Sequence, residues 1–252
     1  MKNMEDISKG SNTLTKNAIS KFIVRFDWMA TPDINIVDIV NQLSKFYDRR
    51  EQNIRTNVNL TFKDNQAPGI TQSQATDYRL IKESNNSVLT FIHESNAFYF
   101  ETSRYVDCSI YGDSIKQVID IIKEGKSDLK STRIGMRFIN NFHSSCIKET
   151  SKIFNSEVAK HLMFIASKEK VSRIINQEEY NLDSSKLRVV YGIPNKFYPA
   201  ILNNFDLLLD IDSIDDTQES IGNWEQVLKN LNHAAYHKFV EFMLPKYLET
   251  LK

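Results

Sequence analysis

The fold class is decided by residues 21–28, which read Lys21-Phe22-Ile23-Val24-Arg25-Phe26-Asp27-Trp28. Phe22, Val24, Phe26 and Trp28 fall on one face at a period of two, and this period predicts a β-strand with one buried face. A Thr-Pro-Asp turn follows at 31–33, and apolar residues at helical spacing then predict a helix from about 36 to 47. Strand, turn and amphipathic helix together indicate an α+β protein.

The same two patterns recur along the rest of the chain. Period-two patterns predict further strands at about 58–62, 78–82, 87–94, 97–107, 131–142, 170–180, 186–191 and 205–214. Helical spacing predicts helices at about 113–124, 155–166 and 220–244, and Pro245 is expected to end or kink the last one. We therefore expect an α+β fold with two successive groups of antiparallel strands, each packed by amphipathic helices.

These groups suggest a division of the chain into three segments. Residues 1–17 are polar and predict a flexible N-terminal tail, 18–145 an α+β subdomain, and 146–252 a second α+β subdomain that ends in a long helix. One continuous domain, with a single sheet that crosses the boundary, is equally compatible with the pattern.

The charge balance bears on the class of partner. The chain has 32 Lys and Arg and 32 Asp and Glu, so it lacks the basic surplus that nucleic-acid-binding proteins usually carry. The charge is segregated, however, because basic residues predominate over 120–173 and acidic residues cluster over 206–219. Two regions of opposite sign can contact each other or a partner, or they can be ordinary solvated surface.

Cysteine content and hydropathy bear on the compartment. Cys108 and Cys146 have no metal-type spacing, which favours reduced thiols in a reducing compartment. Residues 1–16 lack the apolar stretch of a secretion signal, and no segment has the apolar length that a bilayer requires. We expect a cytoplasmic protein with no membrane contact.

Two arginines on one predicted strand form the first candidate site. Arg133 and Arg137 lie on the same strand face with Gly135 between them. Guanidinium groups on a flat sheet face can bind a phosphate or a carboxylate bidentately. Tyr99 and Tyr105 lie on the preceding predicted strand, where they could stack on bases.

A structural role for the same arginines stays open. Each arginine can instead form a cross-strand ion pair with an acid of a neighbouring strand, Glu94 or Glu101. The sequence alone does not decide between a binding site and such ion pairs.

A second candidate site is the acidic run near residue 210. Asp206, Asp210 and Asp212 share one face of a predicted strand, and carboxylates grouped in this way can hold Mg²⁺ or Mn²⁺. The alternative is that Asp206 faces solvent and the acids that follow it favour the start of the last helix, with no cofactor at all. Seven scattered glycines provide no phosphate-binding loop, which argues against P-loop nucleotide hydrolysis.

Two histidines of the last predicted helix lie on one face. His233 and His237 are four residues apart, a spacing that can bind zinc if a third ligand is supplied from elsewhere. The residues between them include no acid, so the His-Glu-x-x-His protease pattern is absent. A half-exposed histidine without a ligand is the structural alternative.

Several of these segments together resemble a known family. They are Arg25-Phe26, Arg133-Ile134-Gly135-Met136-Arg137-Phe138-Ile139-Asn140, Leu209-Asp210-Ile211-Asp212, Leu231-Asn232-His233 and Phe239. From about Ala18 to Phe242 the chain resembles a sporadically distributed family of uncharacterised prokaryotic proteins of about 250 residues. The resemblance implies a freestanding bacterial or archaeal protein and draws attention to His233. A patchy distribution is common among mobile defence genes, which suggests a role in conflict with phage or plasmids.

These patterns lead to three functional hypotheses. The first is a non-enzymatic binding or regulatory accessory protein of a prokaryotic antiviral defence system, which binds a protein partner or itself through Arg133, Arg137 and His233. The second is a divalent-metal-dependent hydrolase or nuclease with Asp210 and Asp212 as ligands of Mg²⁺ or Mn²⁺. The third is a nucleic-acid-binding protein that uses the basic central stretch. The first predicts no cofactor and no catalytic residue.

Overall fold

The computed structural model describes residues 18–31, 34–61, 69–107, 109–125, 129–217 and 221–251. Among these residues the strands are β1 (Ile19–Trp28), β2 (Arg49–Thr61), β3 (Gly69–Lys82), β4 (Ser87–Ile92), β5 (Ala97–Thr102), β6 (Ser131–Phe142), β7 (Ile174–Asn181), β8 (Lys186–Ile193) and β9 (Leu207–Asp215). The helices are α1 (Ile36–Leu43), α2 (Ser109–Gly125), α3 (Thr150–Ile153), α4 (Ser156–Ala166), α5 (Trp224–Phe242) and α6 (Pro245–Leu251). The tail predicted for residues 1–17 lies outside the described residues.

The nine strands form one antiparallel sheet in the order β2-β3-β4-β5-β1-β6-β9-β8-β7. The first strand in sequence lies in the centre, where β1 pairs with β5 on one side and with β6 on the other. Strands of the N-terminal half therefore occupy one side of the sheet and strands of the C-terminal half the other. The predicted mixed α+β class is confirmed. The division into subdomains 18–145 and 146–252 stays a prediction.

The core lies on one face of this sheet. Along β1, Phe22, Val24 and Phe26 are fully buried, while the residues between them are partly exposed. Helices cover the buried face: the Tyr111 ring of α2 stacks on Phe22 at 5.0 Å, and Trp224 of α5 meets the Phe26 ring at 6.4 Å. The other helices contribute to the same core cluster, so the described helices all pack on one side of the sheet.

The helix ends follow local signals. Asn35 caps α1, because its Oδ1 accepts a hydrogen bond from the Val37 backbone N–H at 2.9 Å. Asn155 caps α4 in the same way through Glu157 and Val158. The last predicted helix ends at Phe242, and α6 begins at Pro245, as a proline that stops one helix and starts the next would require.

Two strands extend beyond the rest of the sheet. β4 pairs with β3 only from Asp77 to Lys82, whereas β2 pairs with β3 as far as Thr61 and Gly69. Residues 54–61 and 69–76 therefore form a two-stranded extension, which we call the β2–β3 arm. Within the described residues, β2 is one edge of the sheet and β7 is the other.

A tyrosine pair on the helix-covered side of β7 and β8 predicts sensitivity to alkali. The Tyr191 hydroxyl donates to Glu178 Oε1 at 2.9 Å, and Tyr180 donates to Glu178 Oε2. Burial, together with the hydrogen bond to Glu178, raises the pKa of Tyr191 from 10.0 to about 12.

We expect the free energy of unfolding to fall as the pH rises from about 10 to about 12. In this window the unfolded chain releases the Tyr191 proton while the folded protein still holds it, so ionisation favours the unfolded state. Urea unfolding measured across this range checks the expectation. Tyr191→Phe should flatten the decline, and Tyr236→Phe, at an exposed tyrosine of α5, should leave it unchanged. Equal slopes in the wild-type protein and in Tyr191→Phe would contradict it.

Candidate functional site

The sheet face opposite the helices carries the candidate site, and we call it the open face. Side chains directly opposite each other in antiparallel strands point to the same face. Arg25 and Asp27 of β1 therefore share the open face with Arg133 of β6, which pairs with Asp27, and with Tyr99 of β5, which pairs with Arg25. No described helix packs on this face, so charged side chains line the sheet where a buried core would otherwise require apolar ones.

Five charged side chains in the C-terminal half of this face form an arginine–aspartate cluster. Arg137 of β6 donates to both carboxylate oxygens of Asp210 on β9, at 2.8 and 2.5 Å. Arg188 of β8 donates to Asp212 at 2.9 Å, and Arg133 approaches the same Asp212 oxygen at 3.7 Å. Three guanidinium groups thus surround two carboxylates, and Glu179 of β7 lies directly opposite Arg188 in the strand pairing.

The two acids of the cluster are buried and the arginines are not. Asp210 and Asp212 are 7% and 5% exposed, whereas the Arg133, Arg137 and Arg188 side chains are 37–39% exposed. The carboxylates therefore lie beneath the guanidinium groups and hold them against the sheet. Arginines fixed in this way lose little side-chain entropy when they bind a ligand.

The electrostatics of the cluster follow from this layering. Burial raises the pKa of Asp212 above its ordinary value, and the charges of Arg133, Arg188 and Arg137 oppose that rise. The hydrogen bonds from Arg137 to Asp210 raise the pKa of the Arg137 guanidinium. Arg137 therefore stays fully charged wherever the protein is folded.

Of the three arginines, Arg133 has the longest ion-pair distance to an aspartate. Its distance of 3.7 Å to Asp212 is an ion-pair contact but exceeds hydrogen-bond length. Its buried Nε has no hydrogen-bond partner among the described residues. The side chain lies over Gly135, where a Cβ atom would meet Arg133 Nε at 3.6 Å. Because Gly135 has no side chain, the Arg133 guanidinium can lie close to the sheet surface.

The structure decides which partners the two predicted arginines have. The acids suggested for cross-strand pairing, Glu94 and Glu101, do not bond to Arg133 or Arg137 in any described contact. Glu101 instead forms an ion pair with Lys21 at 2.7 Å, because β5 pairs with β1 and lies two strands away from β6. Cross-strand pairing does occur, but with acids of β9. The sequence offered no signal that β9 would be the neighbour of β6.

A cleft of about 450 Å³ adjoins the cluster on the open face. Its lining residues are Arg25, Arg55, Asp77, Ile92, Glu94, Ser95 and Tyr99. Both cleft arginines are held by carboxylates, Arg25 by Asp27 and Arg55 by Asp77 at 2.7 Å. Tyr99 therefore stands beside Arg25 and Arg55, whereas the sequence analysis associated it with Arg133 and Arg137.

Tyr105 does not belong to this face. Its ring packs on Phe22 at 4.6 Å and meets the Phe138 ring edge-on at 5.7 Å, so it contributes to the core on the helix-covered side. The prediction that Tyr105 could stack on bases beside the arginines is wrong, because β5 ends at Thr102 and the chain then turns towards α2.

His233 lies apart from the arginine–aspartate cluster. It is exposed on α5, the helix that covers the opposite face of the sheet, and its ring lies 4.2 Å from that of His237. The two histidines are thus close together, as their spacing predicts. The structure does not bring His233 together with Arg133 and Arg137 in one site.

Among the described residues, no further side chain is placed to bind a metal ion together with Asp210 and Asp212. Asp210 and Asp212 lie on one strand face as predicted, but the side chains around them are arginines. Within the described ranges, no group of three or more His, Cys, Asp or Glu side chains is placed to hold a metal ion. Asp206 bonds to His143 at 2.8 Å and takes no part in the cluster.

Comparison with known proteins gives no family to which the chain can be assigned. Neither protein-family models nor the curated proteins contain a match. None of the described helices is long and apolar enough to cross a membrane.

Proposed function

We propose that this chain is a non-enzymatic binding protein whose open face binds an acidic segment of a partner protein. The observation that supports the proposal is the arginine–aspartate cluster, in which buried carboxylates hold three half-exposed guanidinium groups on an uncovered sheet face. Arginine is enriched at protein interfaces, where its planar group binds carboxylates bidentately. The cluster offers this group in a fixed position.

The contacts of Arg133 favour an acidic partner. Asp210 neutralises Arg137 through two hydrogen bonds, and Asp212 is shared between Arg188 and Arg133. A carboxylate of the partner would give the exposed end of the Arg133 guanidinium the hydrogen bonds that Asp212, at 3.7 Å, does not. The metal-dependent alternative receives less support, because the same aspartates are already bonded to arginines.

We further propose that this binding role belongs to antiviral defence, as the resemblance to a sporadically distributed prokaryotic family suggests. In that setting the chain would act as a cytoplasmic accessory or regulatory subunit, and the acidic partner would be another component of the same system. This part of the proposal rests on the resemblance alone. The binding role rests on the cluster.

Binding of a fluorescent deca-glutamate peptide tests the role of the cluster. We expect saturable binding at low salt, and a dissociation constant that rises about tenfold in Arg133→Ala, since a hydrogen bond to a charged group contributes about 1.5–3 kcal/mol. Lys229→Ala is the matched control, because it removes one positive charge from an exposed position on α5, on the other side of the sheet.

Three outcomes separate the alternatives. No binding by the wild-type protein, or an equal loss in Lys229→Ala, would overturn the proposal. Tighter binding of a single-stranded oligonucleotide, with a steep dependence on salt, would favour the nucleic-acid hypothesis instead. Arg133 lies half-exposed on the sheet surface, so circular dichroism should show that Arg133→Ala leaves the fold intact.

A further inference from the structure

Among the described residues, no third strand pairs with the β2–β3 arm. Residues 69–76 pair only with residues 54–61, because β4 ends its pairing at Asp77. An isolated two-stranded ribbon is marginally stable in water, and a third strand or a packed face usually supports it. The arm extends past the helices as well, since Ile54 and Val58 are 63% and 53% exposed.

The outer edge of the arm lacks the devices that usually protect an edge strand. Edge strands are commonly protected by lysine, proline, a bulge or a short length. β2 has thirteen residues with neither lysine nor proline, and its register with β3 runs without a shift from Arg49 to Thr61. Arg55 is the one charged residue from 52 to 61, and Asp77 of the neighbouring strand holds its guanidinium at 2.7 Å.

The other edge of the sheet, β7, is shorter and more highly charged than residues 52–61 of β2. β7 has eight residues and carries Glu178 and Glu179 in its middle. A hydrogen bond from His161 of α4 to the Asn176 Oδ1 atom at 3.1 Å ties β7 to α4. The unprotected edge is therefore that of β2.

We infer that the β2 strands of two copies of this chain pair antiparallel, with Thr56 on the two-fold axis, to form one continuous sheet. In this register Ile54 lies opposite Val58 of the second copy, so the two exposed apolar residues of each edge cover those of the other. Directly opposed β-branched side chains stabilise antiparallel pairs.

The neighbouring registers with an axis at residue 53, 54 or 55 lack this complementarity. A two-fold axis at Arg55 would place two arginines directly opposite each other, which like-charge repulsion disfavours. An axis at Ile54 would place Val58 opposite Arg50, and an axis at Asn53 would place Ile54 opposite Gln52. The axis at Thr56 pairs Ile54 with Val58 and leaves Arg55 opposite a neutral residue, Asn57.

Light scattering after size-exclusion chromatography of the full chain, at tens of micromolar, tests the pairing. We expect twice the mass of one chain for the wild-type protein. Val58→Lys should raise the dimer dissociation constant about tenfold or more, because it places a charge on the edge. Gln72→Lys is the matched control: Gln72 is exposed, lies directly beside Val58 on the same face of the arm, and is one strand further from the edge.

Disulfide formation tests the register. With both native cysteines replaced by serine, Thr56→Cys should form a disulfide between copies under mild oxidation, since opposed Cα atoms lie about 5 Å apart. Gln74→Cys should not, because Gln74 is opposite Thr56 within the chain and its symmetry mate is three strand spacings away, about 14 Å.

A monomeric wild-type protein would overturn the inference, as would a dimer that Val58→Lys and Gln72→Lys weaken equally. A dimer sensitive to Val58→Lys that links through Gln74→Cys and not through Thr56→Cys would overturn the register. The inference is independent of the acidic-partner proposal, because Ile54, Thr56 and Val58 lie on the face opposite Arg133.

Discussion

Gly192→Ala is expected to lower the free energy of unfolding by about 3 kcal/mol or more, since overpacking and backbone strain act together at this position. Gly192 lies in β8 with a φ of +151°, which side chains other than glycine rarely adopt. A Cβ atom added there would lie 2.1 Å from the Ile174 backbone oxygen and 2.8 Å from the Ile174 carbonyl carbon. Since both are backbone atoms of the adjoining strand β7, a side-chain rotation cannot relieve the clash.

Gly112→Ala is the matched control for this prediction. Gly112 lies within α2, and a Cβ atom added there has no other atom within 4 Å. Alanine should therefore stabilise the protein by about 0.5–1 kcal/mol through its higher helix propensity. Urea unfolding followed by circular dichroism measures both variants. A loss of stability in Gly112→Ala as large as that in Gly192→Ala would show that the contact with Ile174 is not the cause.

Phe22→Ala is expected to lower the free energy of unfolding by about 4 kcal/mol, the usual range for a buried phenylalanine being about 3–5. The Phe22 ring is fully buried at the centre of the sheet. It contacts three other rings, those of Tyr105, Tyr111 and Phe138, at centroid distances of 4.6–5.0 Å. Because these rings come from three different elements, the cavity left by alanine cannot close by the movement of one of them.

The neighbouring residue provides the control. Ile23 follows Phe22 in β1 but points to the open face, where it is partly exposed. Ile23→Ala should cost less than about 1.5 kcal/mol, because less apolar surface returns to water and no closed cavity forms. Chemical denaturation of both variants checks the contrast. Equal losses would mean that the two faces of β1 are equally packed, against the burial pattern of the strand.

The sequence predicts those elements whose side chains alternate between a core and a solvated face. Residues 131–142 were predicted as a strand and form β6 with the same bounds, because Met136, Phe138 and Phe142 point to the helices while Arg133 and Arg137 do not. The helix predicted at 155–166 is α4, which begins one residue later, after its Asn155 cap. Local periodicity and capping are sufficient in such cases.

The same reasoning missed parts of several elements. β2 and β3 are far longer than the strands predicted at 58–62 and 78–82, because the missed residues, 49–57 and 69–77, are mostly polar or charged. Polar strands of this kind are held by backbone pairing and give no period-two signal. The start of α2 at Ser109 was missed too, since the predicted helix began only at 113.

The candidate site could be predicted from the sequence only in part. Arg133, Arg137, Asp210 and Asp212 were each identified, but as two unrelated sites, one for anions and one for metal. Strand order decides that they form one cluster, and pairing between β6 and β9 joins residues 73 positions apart. Periodicity within a strand carries no information on such a neighbour.

The place of β1 in the centre of the sheet dictates the order in which a growing chain acquires structure. β1 is synthesised before the other described strands, yet the hydrogen bond from Ser20 to Ile139 of β6 spans 119 residues. When β6 leaves the ribosome it can join β1, but its other edge must wait for β9, as the 73 residues between Arg137 and Asp210 indicate. At ordinary synthesis rates of about 5–20 residues per second, this interval lasts about 4–15 s. During these seconds the nascent chain exposes half of the sheet, and the backbone groups of β6 that later pair with β9 are unpaired. Chaperones protect surfaces of this kind.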